Sequence, residues 1–166
     1  MNIRIRHLHA DDIEEVLQLS LLAWAPVFRS FEHVLGPAIY TKIYPDWETI
    51  QRAAVDEVLR DGEKYTVWVA EQERTIVGFI AYTLSLTERV GEVYLLAVHP
   101  AYQNRGIGTE LNNFALRKFK DHGMQLAVVG TGGDPGHAPA RRSYEKAGYT
   151  PLPLVRYYKD LDVETL

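Results

Sequence analysis

Apolar residues follow two rhythms along the chain, and the switch between them divides it. "NIRIRHL" alternates polar and apolar positions as a half-buried strand does. Behind it, Ile13, Val16, Leu17, Leu21 and Trp24 fall at helical spacing, following the capping pattern Asp11-x-x-Glu14, and predict a helix through "DDIEEVLQLSLLAW". Over positions 26–45 the rhythm is lost among aromatics and turn formers such as Gly36, Pro37 and Tyr44, so a short helix and a mobile segment both stay open. Trp47, Ile50, Ala54, Val58 and Leu59 then restore the helical period up to Asp61-Gly62.

The middle of the chain changes to strands. "YTVWVAE", "TIVGFIAYTLSLT" and "GEVYLLAVHP" are rich in β-branched and aromatic residues, and "EQERT" between the first two reads as a hairpin loop. A helix over 106–122 follows, with Ile107, Leu111, Phe114, Ala115 and Phe119 inward, basic Arg117, Lys118 and Lys120 near its end, and Gly123 as its stop. "MQLAVVG" predicts a buried strand, "PARRSYEKAG" a helix closed by Gly148, and "LPLVRYYKDL" a final strand. The order βα(α)βββαβαβ implies an α/β fold, a mixed central sheet flanked by helices, in a single domain over 1–166.

Composition narrows the function more than the fold. The 166 residues carry a net charge of −4, which argues against a nucleic-acid partner bound by phosphate neutralisation. Zero cysteines exclude disulfides, thiolate metal sites and a covalent cysteine intermediate. The histidines show no ligand spacing, so no metal is expected. No apolar stretch approaches the roughly 20 residues that span a bilayer. "MNIRIRHLHADD" lacks the apolar core of a signal peptide, so no membrane and a cytoplasmic location are expected.

One stretch asks for a chemical explanation. "YQNRGIGTEL" places two glycines and an arginine at the start of the best-marked helix, although glycine costs roughly 1 kcal/mol in a helix relative to alanine. Free backbone amides and the helix dipole favour an anion at that end. Bare Gly106 and Gly108 let a diphosphate approach the amides around Asn104, Ile107 and Thr109, while Arg105 can add charge and Gln103 a neutral hydrogen bond. A tight turn with no ligand is the other reading. A Walker loop fits worse because Thr109-Glu110 stands where Lys-Ser/Thr is needed, and a dinucleotide fingerprint because Leu111 replaces its third glycine. "GTGGDPG" at 130–136 sits in a similar place, but its proline suggests a shaped loop more than a phosphate cradle.

"LLAVHPAYQNRGIGTEL" resembles the acetyl-coenzyme A motif Q/R-x-x-G-x-G/A of the GNAT acetyltransferases, with Gln103, Gly106 and Gly108 matching, and "PARRSYEKAGY" resembles the family's later helix. The resemblance covers roughly residues 66–159 by motif and the first 65 by element order. It implies the GNAT acyltransferase fold, acetyl-CoA as cosubstrate, and a gap beside Leu96 and Val98 that takes the pantetheine arm. His137 stands where the family commonly has an asparagine, and either makes a similar hydrogen bond to the cofactor or none.

The implied chemistry is direct transfer of acetyl to an amine, which needs a proton acceptor, a polarised carbonyl and a proton for the departing thiolate. Tyr144 matches the family tyrosine near the sulfur and is the expected donor, its alternative role being core packing. Glu92 matches a glutamate that serves some members as base, with His99 or a water as substitutes. Trp24, Phe28, Phe31 and Tyr82 are the expected acceptor side, an aromatic wall for a small-molecule or peptide amine, unless they are simply core. A monomer or homodimer is expected. A non-catalytic acyl-CoA-sensing or interaction module on the same fold, and a transferase of longer acyl chains, are the rival readings.

Overall fold

The computed structural model describes residues 3–163; Met1, Asn2 of the expected first strand, and the last three residues of the expected domain lie outside the described residues. Strand β1 (Arg4–His7) leads through a short turn to α1 (Ile13–Leu35), α2 (Pro37–Ile43) and α3 (Trp47–Arg60). Strands β2 (Thr66–Gln72), β3 (Thr75–Ser85) and β4 (Val90–Val98) follow, then α4 (Ile107–Asp121), β5 (Leu126–Val129) and α5 (Ala138–Lys146). The sheet runs β1-β2-β3-β4-β5, antiparallel except that β5 lies parallel to β4.

Each face of the sheet owns a core. Val16, Leu17 and Leu19 of α1 and Val55 and Leu59 of α3 pack with Val69, Phe79 and Ala81 on one face. Ile107, Leu111, Ala115 and Phe119 of α4 pack with Val77, Ile80, Tyr82 and Val93 on the other, at the positions the helical spacing assigns inward. The approach is close: a Cβ on Gly91 would stand 2.5 Å from the ring of Phe119. Glu73 and Arg74, both at positive φ, make the two-residue hairpin turn expected in "EQERT".

One open alternative is resolved and two expectations are corrected. Within 26–45 the helical alternative holds: α1 runs on through Pro26 to Leu35, and Gly36 at φ 75° breaks it before α2 spans Pro37–Ile43. Strand β5 is not buried but forms an edge, with Leu126 58 % exposed. The final strand does not form. Residues 150–160 make no ladder, Pro151 and Pro153 lack amide donors, and Leu152, Leu154 and Tyr157 lie exposed. That segment is tied back instead by Lys42 of α2, which donates to Asp160 and Asp162 at 2.5 Å each.

Candidate functional site

The site begins with a defect in strand pairing. Ala81 faces Leu95 but Tyr82 faces Val93, so Tyr94 is an extra residue and β4 bulges there. On its other side β4 pairs with β5 only through Val90, Gly91, Glu92 and Val93. Beyond the bulge the two strands part. Leu96 and Val98 therefore face an open gap, and a cavity of about 490 Å³ fills the space between α1, β4, the start of α4, and α5.

The glycine turn closes one end. Gly106 sits at φ 85°, a conformation that side chains rarely adopt, and a Cβ there would meet nothing within 4 Å. The first amide bonded inside α4 is Glu110 N–H to Gly106 C=O at 2.9 Å, so the amides of Ile107, Gly108 and Thr109 have no acceptor within the helix. Gln103, Asn104, Gly106, Ile107, Gly108 and Thr109 all line the cavity. Gln103 Nε2 donates to the carbonyl of Val98 at 3.0 Å and pins the turn to the end of β4. Arg105 is outside the wall, its guanidinium 5.3 Å from the ring centroid of Tyr102.

Tyr144 projects from α5 into the same cavity. Its ring meets Tyr149 edge-on at 5.8 Å, and burial, with Tyr149 beside it, pushes its hydroxyl up to about 12. His137 lies in the wall directly before α5, near Phe31 of α1 at 5.6 Å between ring centroids.

The remaining expected residues scatter. Trp24 lines the cavity from α1. Phe28 does not: it is buried against Trp47 of α3 at 4.4 Å. Phe31 stacks on Tyr44 at 5.4 Å and reaches the cavity only through His137. Tyr82 is not in the cavity wall. It packs under α4 against Phe119 and accepts a hydrogen bond from Trp68 Nε1 at 3.2 Å; the alternation of β3 sends it there. Glu92 is exposed on the paired part of β4, flanked by Thr83 and Val128, and is not in the cavity wall. The Nδ1 of His99 accepts from the Ala101 amide at 3.1 Å and shapes the turn.

Sequence reasoning missed Ser30, Asp134 and Arg141. Asp134 accepts from Ser30 Oγ at 2.7 Å, the Gly136 amide at 2.9 Å and His137 Nδ1 at 2.5 Å. Arg141 donates to the carbonyls of Gly132 and Asp134 at 2.6 and 2.7 Å. "GTGGDPG" held the one local signal, an Asp before Pro-Gly; Ser30 is 104 residues away and gave none.

The profile of the acetyltransferase (GNAT) family matches residues 34–149. The chain belongs to that family. Among proteins it resembles in sequence are mycothiol acetyltransferases of Thermomonospora curvata (31 % identical over 84 residues, 51 % of this chain and 27 % of that protein) and Streptomyces coelicolor (32 % over 82 residues, 49 % and 26 %). The chain thus spans about a quarter of the length of the curated relatives it matches. In fold it is similar to the PaiA N-acetyltransferase of Thermoplasma acidophilum in complex with coenzyme A, at TM-score 0.68 and 19 % identity over 90 % of this chain and 91 % of that one. It is equally similar to the ribosomal-protein-S18-alanine N-acetyltransferase of Escherichia coli, at TM-score 0.68 and 19 % identity over 97 % and 86 %. This GNAT chain has no group of three or more metal-ligating side chains among its described residues, and none of its described helices is long and apolar enough to cross a membrane.

Proposed function

We propose that the chain is a single acetyltransferase domain that moves the acetyl group of acetyl-CoA directly to a primary amine of a small molecule or peptide. The observation that carries this is the parting of β4 from β5 directly beside the bare N-terminus of α4. A thiol carrier with a diphosphate at one end fits that space. Amides of Ile107, Gly108 and Thr109 serve the diphosphate end, and the main chain of Leu96 and Val98, which has no partner on β5, lies along the arm. Bound there, the thioester supplies an acyl group already activated toward amines.

The remaining work falls to side chains. Trp24, which lines the cavity from α1, walls the acceptor. Tyr144 holds its proton far above the ordinary thiol value of about 8.5. It therefore acts as a hydrogen-bond donor to the departing sulfur, giving up the proton only as negative charge gathers there. Among relatives, the names specify mycothiol and a ribosomal-protein alanine, so acceptor classes differ within reach of this chain.

Three measurements test the reading. Acetyl-CoA at one hundred times its dissociation constant should stabilise the fold by about 2.7 kcal/mol, read as a melting shift. Free thiol should appear when acetyl-CoA is mixed with a panel of amines. Tyr144→Phe should bind acetyl-CoA within a few-fold of the parent while turnover falls roughly 10²-fold. A missing melting shift at millimolar acetyl-CoA would remove the cosubstrate. Tight binding without turnover on any amine would make the chain an acyl-CoA sensor.

A further inference from the structure

The loop at 130–136 is built around a hydrogen-bonded carboxylate and imidazole, Asp134 and His137. Asp134 is only 8 % exposed at its side chain, and three donors converge on its carboxylate: Ser30 Oγ and the Gly136 amide on Oδ2, His137 Nδ1 on Oδ1. Ser30 Oγ also accepts from the Gly136 amide at 2.9 Å, so α1 and the loop are locked together at this point. Two glycines make the space. A Cβ on Gly132 would stand 2.5 Å from both His137 Nδ1 and Asp134 Oδ1, and one on Gly136 would stand 2.7 Å from Ser30 Cβ. Arg141 fixes the loop's carbonyls from behind.

The result is an imidazole with one nitrogen held and one free. Nδ1 faces Asp134, and a carboxylate there favours the tautomer with its proton on Nδ1. Nε2, on the opposite edge of the ring, makes no hydrogen bond among the described residues and is not among their buried unpartnered atoms. His137 lines the cavity together with Trp24 and Tyr144. A ring nitrogen left without a partner, on a residue that lines the reaction cavity and is backed by a buried carboxylate, is the arrangement of a general base.

We propose that His137, oriented by Asp134, is the base that takes the proton from the acceptor amine. This rests on the acetyltransferase reading above. As the amine nitrogen bonds to the acetyl carbon and the carbon–sulfur bond breaks, the proton leaving nitrogen passes to Nε2 of His137. The sulfur gains a proton from Tyr144, and solvent then removes the proton from the imidazolium and restores the phenol, so that amide and free thiol are the net products. Glu92 stands outside the cavity wall and His99 is engaged in its turn, so neither has the same access. Asp134 is a positioning residue: it touches His137, Ser30 of α1 and its own loop, and is not in the cavity wall.

The test uses the full chain, an amine accepted in the thiol-release assay, and His137→Asn and Asp134→Asn. His137→Asn should lose roughly 10²-fold or more in kcat while its dissociation constant for acetyl-CoA, by calorimetry, stays within a few-fold. Asp134→Asn should lose kcat in the same direction with the same retention of binding. In the ligand-free wild-type protein, nitrogen NMR of the neutral ring should show the proton of His137 on Nδ1, and Asp134→Asn should redistribute it. Unchanged kcat in His137→Asn, with or without a loss in Glu92→Gln, overturns the proposal. So does weakened acetyl-CoA binding at unchanged kcat, which would make His137 a cofactor contact only. If either variant fails to fold, the wild-type tautomer decides, and a proton on Nε2 rejects the base. Failure of the wild-type protein to bind acetyl-CoA would instead strike the underlying reading and is distinguishable by the same calorimetry.

Discussion

Two glycine-rich strand-to-helix connections face each other across the cavity, and they use glycine for opposite ends. In the turn before α4, Gly106 has nothing within 4 Å of its missing Cβ, and Gly108 would meet only Val98 Cγ2 at 3.6 Å and Leu96 Cδ2 at 3.8 Å. In the loop before α5, Gly132 and Gly136 would each place a Cβ under 3 Å from side chains of the same protein. The first absence of side chains leaves room for something outside the chain; the second is already filled from within by His137, Asp134 and Ser30. A glycine pattern alone therefore does not announce a ligand. What surrounds the missing Cβ does.

The largest expected effect breaks the comparison at the open turn. Gly108→Val adds a branched side chain at ordinary contact distance from its own protein, so the fold should survive. The branch would instead occupy the space in front of the first-turn amides. Acetyl-CoA affinity should fall more than 100-fold by calorimetry, with a melting temperature for the ligand-free protein within a few degrees of the parent. Normal binding by this variant would mean that the diphosphate lies elsewhere.

The crowded loop should respond in reverse. Gly136→Ala would bring a Cβ 2.7 Å from Ser30 Cβ and 3.1 Å from the backbone of Val27, neither the end of a flexible chain. Overpacking of this kind costs about 1–3 kcal/mol. Denaturant unfolding should register that loss, and turnover should drop as the loop shifts His137, while acetyl-CoA affinity changes little. If stability holds and affinity alone suffers, the two loops do not differ in the way described.

The same pair of loops marks how far the sequence could be read. The α4 turn announced itself because its signals are local: two glycines, a preceding strand and a helix lie within ten residues, and the fold's layers followed from the same periodicities. Asp134 and His137 lie three residues apart, but the cluster was unreadable as a whole because Ser30 reaches it from 104 residues away. Tyr82 misled because the apolar run of β3 is buried on both faces, so composition alone does not say that Phe79 and Ala81 go to the α1 side and Ile80 and Tyr82 to the α4 side. The final strand misled because alternation and apolar content predict a tendency to pair, whereas pairing needs donors, and Pro151 and Pro153 remove two.

A smaller effect concerns acid. Burial alone would raise Asp134, but hydrogen bonds from His137, Ser30 and the Gly136 amide outweigh it and hold the carboxyl below its ordinary value. A carboxyl depressed in the folded state stabilises the fold above its unfolded value, near pH 4, and that contribution disappears as pH falls through the lower folded value. Melting temperature followed from pH 6 down to pH 2 should therefore decline more steeply in the parent than in Asp134→Asn, which lacks the group. At neutral pH the variant should be less stable by about 1–3 kcal/mol, the cost of disturbing a buried charged acceptor. Parallel acid profiles would show that the couple contributes no folding energy.

The smallest effect sharpens the reason for Gly106. Its φ of 85° alone would disfavour any residue with a Cβ, by roughly 1–2 kcal/mol for left-handed geometry. Asparagine tolerates that region better than alanine, and the neighbouring Asn104 already adopts it at φ 61°. Gly106→Ala and Gly106→Asn therefore separate two causes that the sequence merges. If backbone conformation is the whole reason for glycine, asparagine should recover part of the stability that alanine loses, and both variants should bind acetyl-CoA with nearly parental affinity. If room for a ligand is also required, stability should still rank asparagine above alanine, but both should bind more weakly, and asparagine, being larger, should bind the weaker of the two. Gly106 lines the cavity and has open space at its Cβ, so the second ordering is expected. Affinity falling in the opposite order to stability across these two variants would separate the ligand's demand for space from the backbone's demand for a positive φ.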